Sequence, residues 1–154
     1  MIRLAAALAL LLCALHARAE ARAWDFRVFL DDREIGRHRF TLRDLGAGQE
    51  LRSEARFEVK LLGFTAYRYA HEATERWEGE CLRSLASSTD DNGERERVDW
   101  RAGPGGCALS FAYWNPRILE GGSLLNAQTG RFEAVRVEGG GDDTVEGRGR
   151  RSEE

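Results

Sequence analysis

Residues 49–61 read QELRSEARFEVKL. Glu50, Arg52, Glu54, Arg56, Glu58 and Lys60 hold every second place, and Leu51, Ser53, Ala55, Phe57, Val59 and Leu61 fill the places between. Successive side chains of a strand point to opposite faces, so period two makes one charged face and one largely apolar face. Wound as a helix, the same residues would smear charge around the whole circumference. The stretch is therefore a strand, wet on one side and buried on the other.

The same alternation recurs on both sides of it. Trp24, Phe26, Val28 and Leu30 share one side of a strand, with Asp25 and Arg27 opposite. Asp31-Asp32-Arg33-Glu34 interrupts as a hairpin loop, and a second strand runs from Ile35 to Leu42. Gly36 within it marks a bulge or a close backbone approach. After 49–61, Leu62-Gly63 reads as a tight connection into a long strand from Phe64 to Glu78. Glu80 to Thr89 follows Gly79. Asp90-Asp91-Asn92-Gly93 is a turn, because Asn-Gly accepts the positive φ of a two-residue hairpin. Glu94 to Trp100 is the return strand, and residues 101–106 form a Gly-rich loop. Cys107 to Tyr113 is expected as a strand ended by Trp114-Asn115-Pro116. One helical turn is expected over Ile118–Gly122, and strands over Leu124–Asn126 and Arg131–Val137. Eight or nine short strands without a helix predict an all-β fold, an antiparallel meander forming a barrel or an open half-barrel.

The first nineteen residues, MIRLAAALALLLCALHARA, are not part of that fold. Arg3, the apolar run Ala5–Leu15 and Ala17-Arg18-Ala19 make the three regions of a secretory signal peptide. A second Ala-Arg-Ala at 21–23 offers an alternative cut before Trp24. Leu12 precedes Cys13, which argues against lipid attachment at that cysteine. The expected organisation is a signal peptide at 1–19, a β-rich domain at 20–137 and a disordered tail at 138–154. The tail, EGGGDDTVEGRGRRSEE, has Val145 as its one sizeable apolar residue and cannot bury enough surface to offset its ordering entropy. A chain that stops adding strands there would leave an unpaired edge near 131–137. Export predicts a periplasmic or secreted protein with no transmembrane segment in its mature part. It also predicts a disulfide between Cys81 and Cys107, the alternative being two free thiols.

The whole chain of 154 residues carries 23 Lys+Arg against 26 Asp+Glu, so no basic face is available for a nucleic-acid backbone. No G-x-S-x-G, H-E-x-x-H, C-x-x-C or P-loop occurs, and no metal site or cofactor is expected. The unusual residues lie on the strand from Phe64. Tyr67, Tyr69, His71, Ala73, Glu75 and Trp77 share the face that should turn inward. A buried Glu or His needs a partner, and His71 and Glu75 stand roughly 13 Å apart along a strand. Each must find a cross-strand partner, such as Arg83, Arg95 or a tyrosine hydroxyl. Trp114 and Asn115 either line a mouth or cap an end, and His38, beside Phe40 and Leu42, reads as a satisfied core or rim residue.

Several of these residues together resemble a known family. Trp24-x-Phe26, Ile35-Gly36-x-His38-x-Phe40, Tyr67-x-Tyr69-x-His71, Glu75-x-Trp77 with Gly79, Thr89-Asp90-Asp91-Asn92-Gly93, Tyr113-Trp114-Asn115 and Gln128-Thr129-Gly130 are similar to the DUF6134 family of bacterial exported proteins. The likeness spans residue 24 to about 137, and a more distant one extends to the envelope DUF3108 proteins. It implies a secreted β-rich domain and brings no catalytic residues. Family members continue with further strands where this chain turns to Gly139-Gly140-Gly141.

Three functions compete on these grounds. The first is a non-enzymatic periplasmic protein binding a lipid or other apolar or amphipathic ligand through Tyr67, Tyr69, His71, Glu75, Trp77, Trp114 and Asn115. The second is an envelope structural or interaction module with a solid core. The third is a hydrolase-like enzyme using Glu75 and His71 as acid and base, for which the sequence supplies no orienting group.

Overall fold

Two-residue turns set the architecture. Strand β1 (Ala21–Leu30) returns as β2 (Arg33–Asp44) through Asp31 and Asp32, both at positive φ of 46° and 60°. β3 (Gln49–Leu61) returns as β4 (Phe64–Glu78) through Leu62 and Gly63, at 51° and 84°. β5 (Cys81–Asp91) returns as β6 (Glu94–Arg101) through Asn92 and Gly93, at 53° and 100°. Positive φ at both central residues matches the right-handed twist of the flanking strands. The first hairpin loop is thus shorter than its four charged residues suggest, because Arg33 and Glu34 already pair with Leu30 and Phe29.

The structure, a computed structural model, describes residues 21–139. The expected signal peptide at 1–19 lies outside them, as does the expected disordered tail apart from Glu138 and Gly139. β1 to β6 form one antiparallel sheet in sequence order. The sheet is open: β1 and β6 are its two edges and do not pair with each other, so the meander does not close into a barrel. A smaller sheet follows, in which β7 (Leu109–Ser110) pairs parallel with β8 (Gly122–Leu125) and β8 pairs antiparallel with β9 (Phe132–Val135). A single 3-10 turn, Pro116–Glu120, lies between β7 and β8. The strand expected over 107–113 is reduced to Leu109–Ser110, since the chain bends away at Phe111 toward that turn.

Three of the pairings, β1–β2, β3–β4 and β4–β5, carry one extra residue each. Ile35, Ala66 and Arg83 are left without a partner where the registers shift. Gly36 lies beside the first of these bulges. A Cβ there would overlap the carbonyl oxygen of Arg56, so the strands approach as only glycine allows.

The core lies on one half of the meander. Trp77, Leu82, Leu85, Ala112 and Leu125 form a buried cluster, with Val98, Trp100, Ala108, Leu109, Trp114 and Ala127 packed against it. The small sheet thus covers β4, β5 and β6. Among the links that fasten it are a bridge between Leu82 and Ala108, the Cys81–Cys107 disulfide with Cα atoms 4.8 Å apart, and a hydrogen bond from Ser87 Oγ to the Ala127 carbonyl. The opposite face of the meander is laced with exposed ion pairs, among them Arg39–Asp25 at 2.9 Å, Arg76–Glu50 at 3.0 Å and Arg56–Glu72 at 2.7 Å. Exposed pairs of this kind contribute about 0–1 kcal/mol each, so the face is soluble without being a main source of stability.

Candidate functional site

The half of the inner face that the small sheet leaves uncovered is aromatic. Even-numbered residues of β1 and, from Gly36 on, of β2, and odd-numbered residues of β3 and, from Tyr67 on, of β4 point to it, as the register dictates. Phe26 meets Phe40 edge-on with centroids 6.0 Å apart, and His38 lies 4.1 Å from Phe40. Phe57 stacks on Tyr69 at 5.4 Å, and Tyr69 lies 6.3 Å from His71. A band of rings therefore crosses four strands.

Beside this band is a half-open groove of about 480 Å³. Its floor is Phe40, Leu42 and Leu51 from β2 and β3; Trp24 and Phe26 of β1 form one wall. The other wall is Phe111, Ala112, Tyr113 and Trp114, the segment that leaves β7 for the 3-10 turn. Among the described residues, Arg22 is the single charged one lining it. Trp114 joins the groove to the core, edge-on to Trp77 at 5.3 Å, and its buried indole N–H finds no acceptor among the described residues.

Glu75 is buried just behind the floor, opposite Leu51 in the register and 6% exposed. Its two oxygens are both engaged: Oε1 accepts from Ser110 Oγ at 2.9 Å and Oε2 from Trp77 Nε1 at 2.9 Å. Burial raises its pKa above the usual carboxylate value, and the two donors oppose that rise. No cation faces it. Of the partners expected from the sequence, Arg83 bonds the Gly106 carbonyl and Glu78, and Arg95 bonds Asp90. Arg83 is a bulge residue, which takes it off the inner row.

The histidines are likewise satisfied by hydroxyls. His71 Nδ1 and Thr89 Oγ1 are 2.8 Å apart, and Thr89 is its register partner on β5. His38 Nε2 and Ser53 Oγ are 2.8 Å apart. Burial lowers both imidazole pKa values, and the proximity of His71 lowers that of His38 further. The tyrosine hydroxyls look elsewhere. Tyr67 donates to Asp91 at 2.6 Å, a bond that, with burial, pushes its pKa up to about 12. Tyr69 donates to Gln128 at 3.1 Å and so fastens the β8–β9 connection to the sheet.

The seven residues singled out in the sequence thus fall into four places. Trp114 lines the groove. Glu75 and Trp77 form a buried pair behind it, and Tyr67, Tyr69 and His71 continue along β4 toward the other end. Asn115, 3% exposed, caps the 3-10 turn by accepting from the Arg117 N–H at 3.1 Å. The groove's main lining was not singled out: Trp24, Phe26, Phe40, Leu42 and Leu51 read as ordinary apolar positions of strands. The signal was that β1 and β2 present large rings on a face that the short strands β7, β8 and β9 do not reach. Among the described residues, no group of three or more His, Cys, Asp and Glu is placed to hold a metal ion, and no helix is long and apolar enough to cross a membrane.

The chain matches the family described as Domain of unknown function (DUF6134) over residues 26–154 and belongs to it. No curated protein and no solved structure matches it.

Proposed function

We propose that this DUF6134 protein is exported to the periplasm and binds an apolar or amphipathic molecule in the groove between β1–β3 and the Phe111–Trp114 segment, without catalysing a reaction. The observation that carries the reading is the groove itself. Its volume falls within the roughly 300–1,000 Å³ of small-molecule sites, and its walls are mainly aromatic and aliphatic with few polar groups. Arg22 at its edge and the unpartnered Trp114 N–H favour a ligand with an anionic or hydrogen-bond-accepting head and an apolar tail. Strand β1 starts at Ala21, so a signal cut after Ala19 keeps Arg22 in the groove, whereas a cut before Trp24 removes it. The bonding of Glu75 and His71 favours structural roles for them over acid–base catalysis: neither is near the other, and Glu75 has no free oxygen turned to the groove.

Dodecanoate titrated against the protein tests this, with tryptophan emission as the readout because Trp24 and Trp114 line the groove. A saturable change is expected, weakened at least about tenfold by Phe26→Arg, which places a charge in the wall. The absence of any saturable change with either dodecanoate or dodecanol, or equal binding by the variant, overturns the reading.

A further inference from the structure

The two edges of the six-stranded sheet are built differently. In β6, six of eight residues are charged, ERERVDWR. Charged side chains along an edge oppose pairing with another chain. In β1, ARAWDFRVFL, three of ten are charged, and among the described residues no strand pairs with its outer side. Phe26 in the middle of it is 52% exposed, Phe29 and Leu30 48% each. A long, apolar, unpaired edge is a pairing surface unless something covers it.

The charges of β1 say what covers it. Two copies related by a two-fold axis pair antiparallel, with each residue opposite one that points to the same face. An axis at Asp25 sets Asp25 against the partner's Asp25, and an axis at Arg27 sets like charges together in the same way. An axis at Phe26 does neither. Asp25 then stands opposite the partner's Arg27, Arg27 opposite the partner's Asp25, Trp24 opposite the partner's Val28, and Phe26 meets the partner's Phe26 on the axis. Both charge pairs lie on the outer face, where Asp25 already takes Arg39 at 2.9 Å and Arg27 takes Glu34 at 3.4 Å. Trp24 and Phe26 lie on the inner face, while Phe29 lies on the outer face beneath Arg27 and falls opposite the partner's Ala23. We infer that β1 is the interface of a two-fold dimer, formed by antiparallel pairing centred on Phe26, which makes one continuous sheet and sets the two grooves side by side.

Cross-linking tests the register. Opposite residues of an antiparallel pair bring their Cβ atoms to about 4.5–5.5 Å, so Phe26→Cys should oxidise to a covalent dimer. Trp24→Cys, opposite Val28 rather than itself, should not. The native Cys81 and Cys107 are already bonded to each other. Charge reversal tests the pairing: Arg27→Asp faces the partner's Asp25 and should raise the dimer dissociation constant at least about tenfold in sedimentation equilibrium. Asp25→Arg should do the same, and a mixture of the two variants should associate again as a heterodimer. Protein from the full-length chain that is monomeric at hundreds of micromolar overturns the inference. So does a covalent dimer formed equally by Trp24→Cys, or an Arg27→Asp variant that associates as tightly as the unaltered protein. None of these readouts depends on ligand.

Discussion

Replacing Glu75 separates a buried charge from a buried hydrogen-bond acceptor. Ser110 and Trp77, 2% and 1% exposed, both donate to it and make no other side-chain hydrogen bond among the described residues. Glu75→Ala strands both donors. A buried group left unsatisfied costs about 1–3 kcal/mol, and relief of the carboxylate's own desolvation offsets part of that, so a loss of about 2–4 kcal/mol is expected. Glu75→Gln keeps an oxygen for Trp77 and offers an N–H₂ to the Ser110 hydroxyl, and should stand within about 1 kcal/mol of the unaltered protein at pH 7.5. Its pH dependence is the sharper mark. The folded-state pKa of Glu75 is raised above its unfolded value of 4.5. The folded protein therefore takes up the proton first as pH falls. This adds stability that is complete below 4.5 and lost as pH rises through the folded pKa. His38 and His71 act in the opposite sense, because their folded pKa values are lowered and acidification below about 6.5 costs stability. They cancel in the difference between the unaltered protein and Glu75→Gln. Urea unfolding followed by tryptophan fluorescence at pH 7.5 and pH 5 should show that difference moving in favour of the glutamate at the lower pH. A difference that does not change with pH, or a Glu75→Ala loss no larger than that of Glu58→Ala on the outer face, would refute the reasoning.

Cys81 and Cys107 should resist alkylation in denatured, unreduced protein, and their reduction should cost about 3 kcal/mol for a loop of this length; labelling of both under those conditions would remove the bond. Leu62 is 91% exposed at a φ of 51°, a conformation that asparagine adopts more readily than leucine. Leu62→Asn should therefore raise stability by about 0.5–1 kcal/mol, and a lower urea midpoint would contradict this.

Much of this fold was legible because alternation and turn chemistry are local signals. The charged-apolar rhythm of Glu50–Leu61, the Asn92-Gly93 turn and the inward face of His71 and Glu75 all depend on neighbours one to four residues away. What was not legible depended on distance or on counting. Ser110 reaches Glu75 from 35 residues on, and nothing in either stretch announces it. Arg83 was a reasonable partner by parity until a bulge moved it out of step. The β7–β9 layer was the least legible part, since Cys107–Tyr113 has the composition of a strand but meets only one partner over Leu109–Ser110. The groove followed from that layer's narrowness, which no single residue records.

That narrow layer also bears on the order of assembly. In the six-stranded sheet every strand pairs with the next in sequence, and three of its turns are two residues long with both central φ angles positive. Such a sheet zips up hairpin by hairpin, because each closure spans a short loop and little chain entropy is at stake. The small sheet cannot dock until β4 and β5 have presented Trp77, Leu82 and Leu85. Glu75 waits on Ser110 until then, and so does Cys81 on Cys107. Oxidation of that cysteine pair is accordingly a clock for the last event of folding, and a thiol quench along a refolding time course reads it directly.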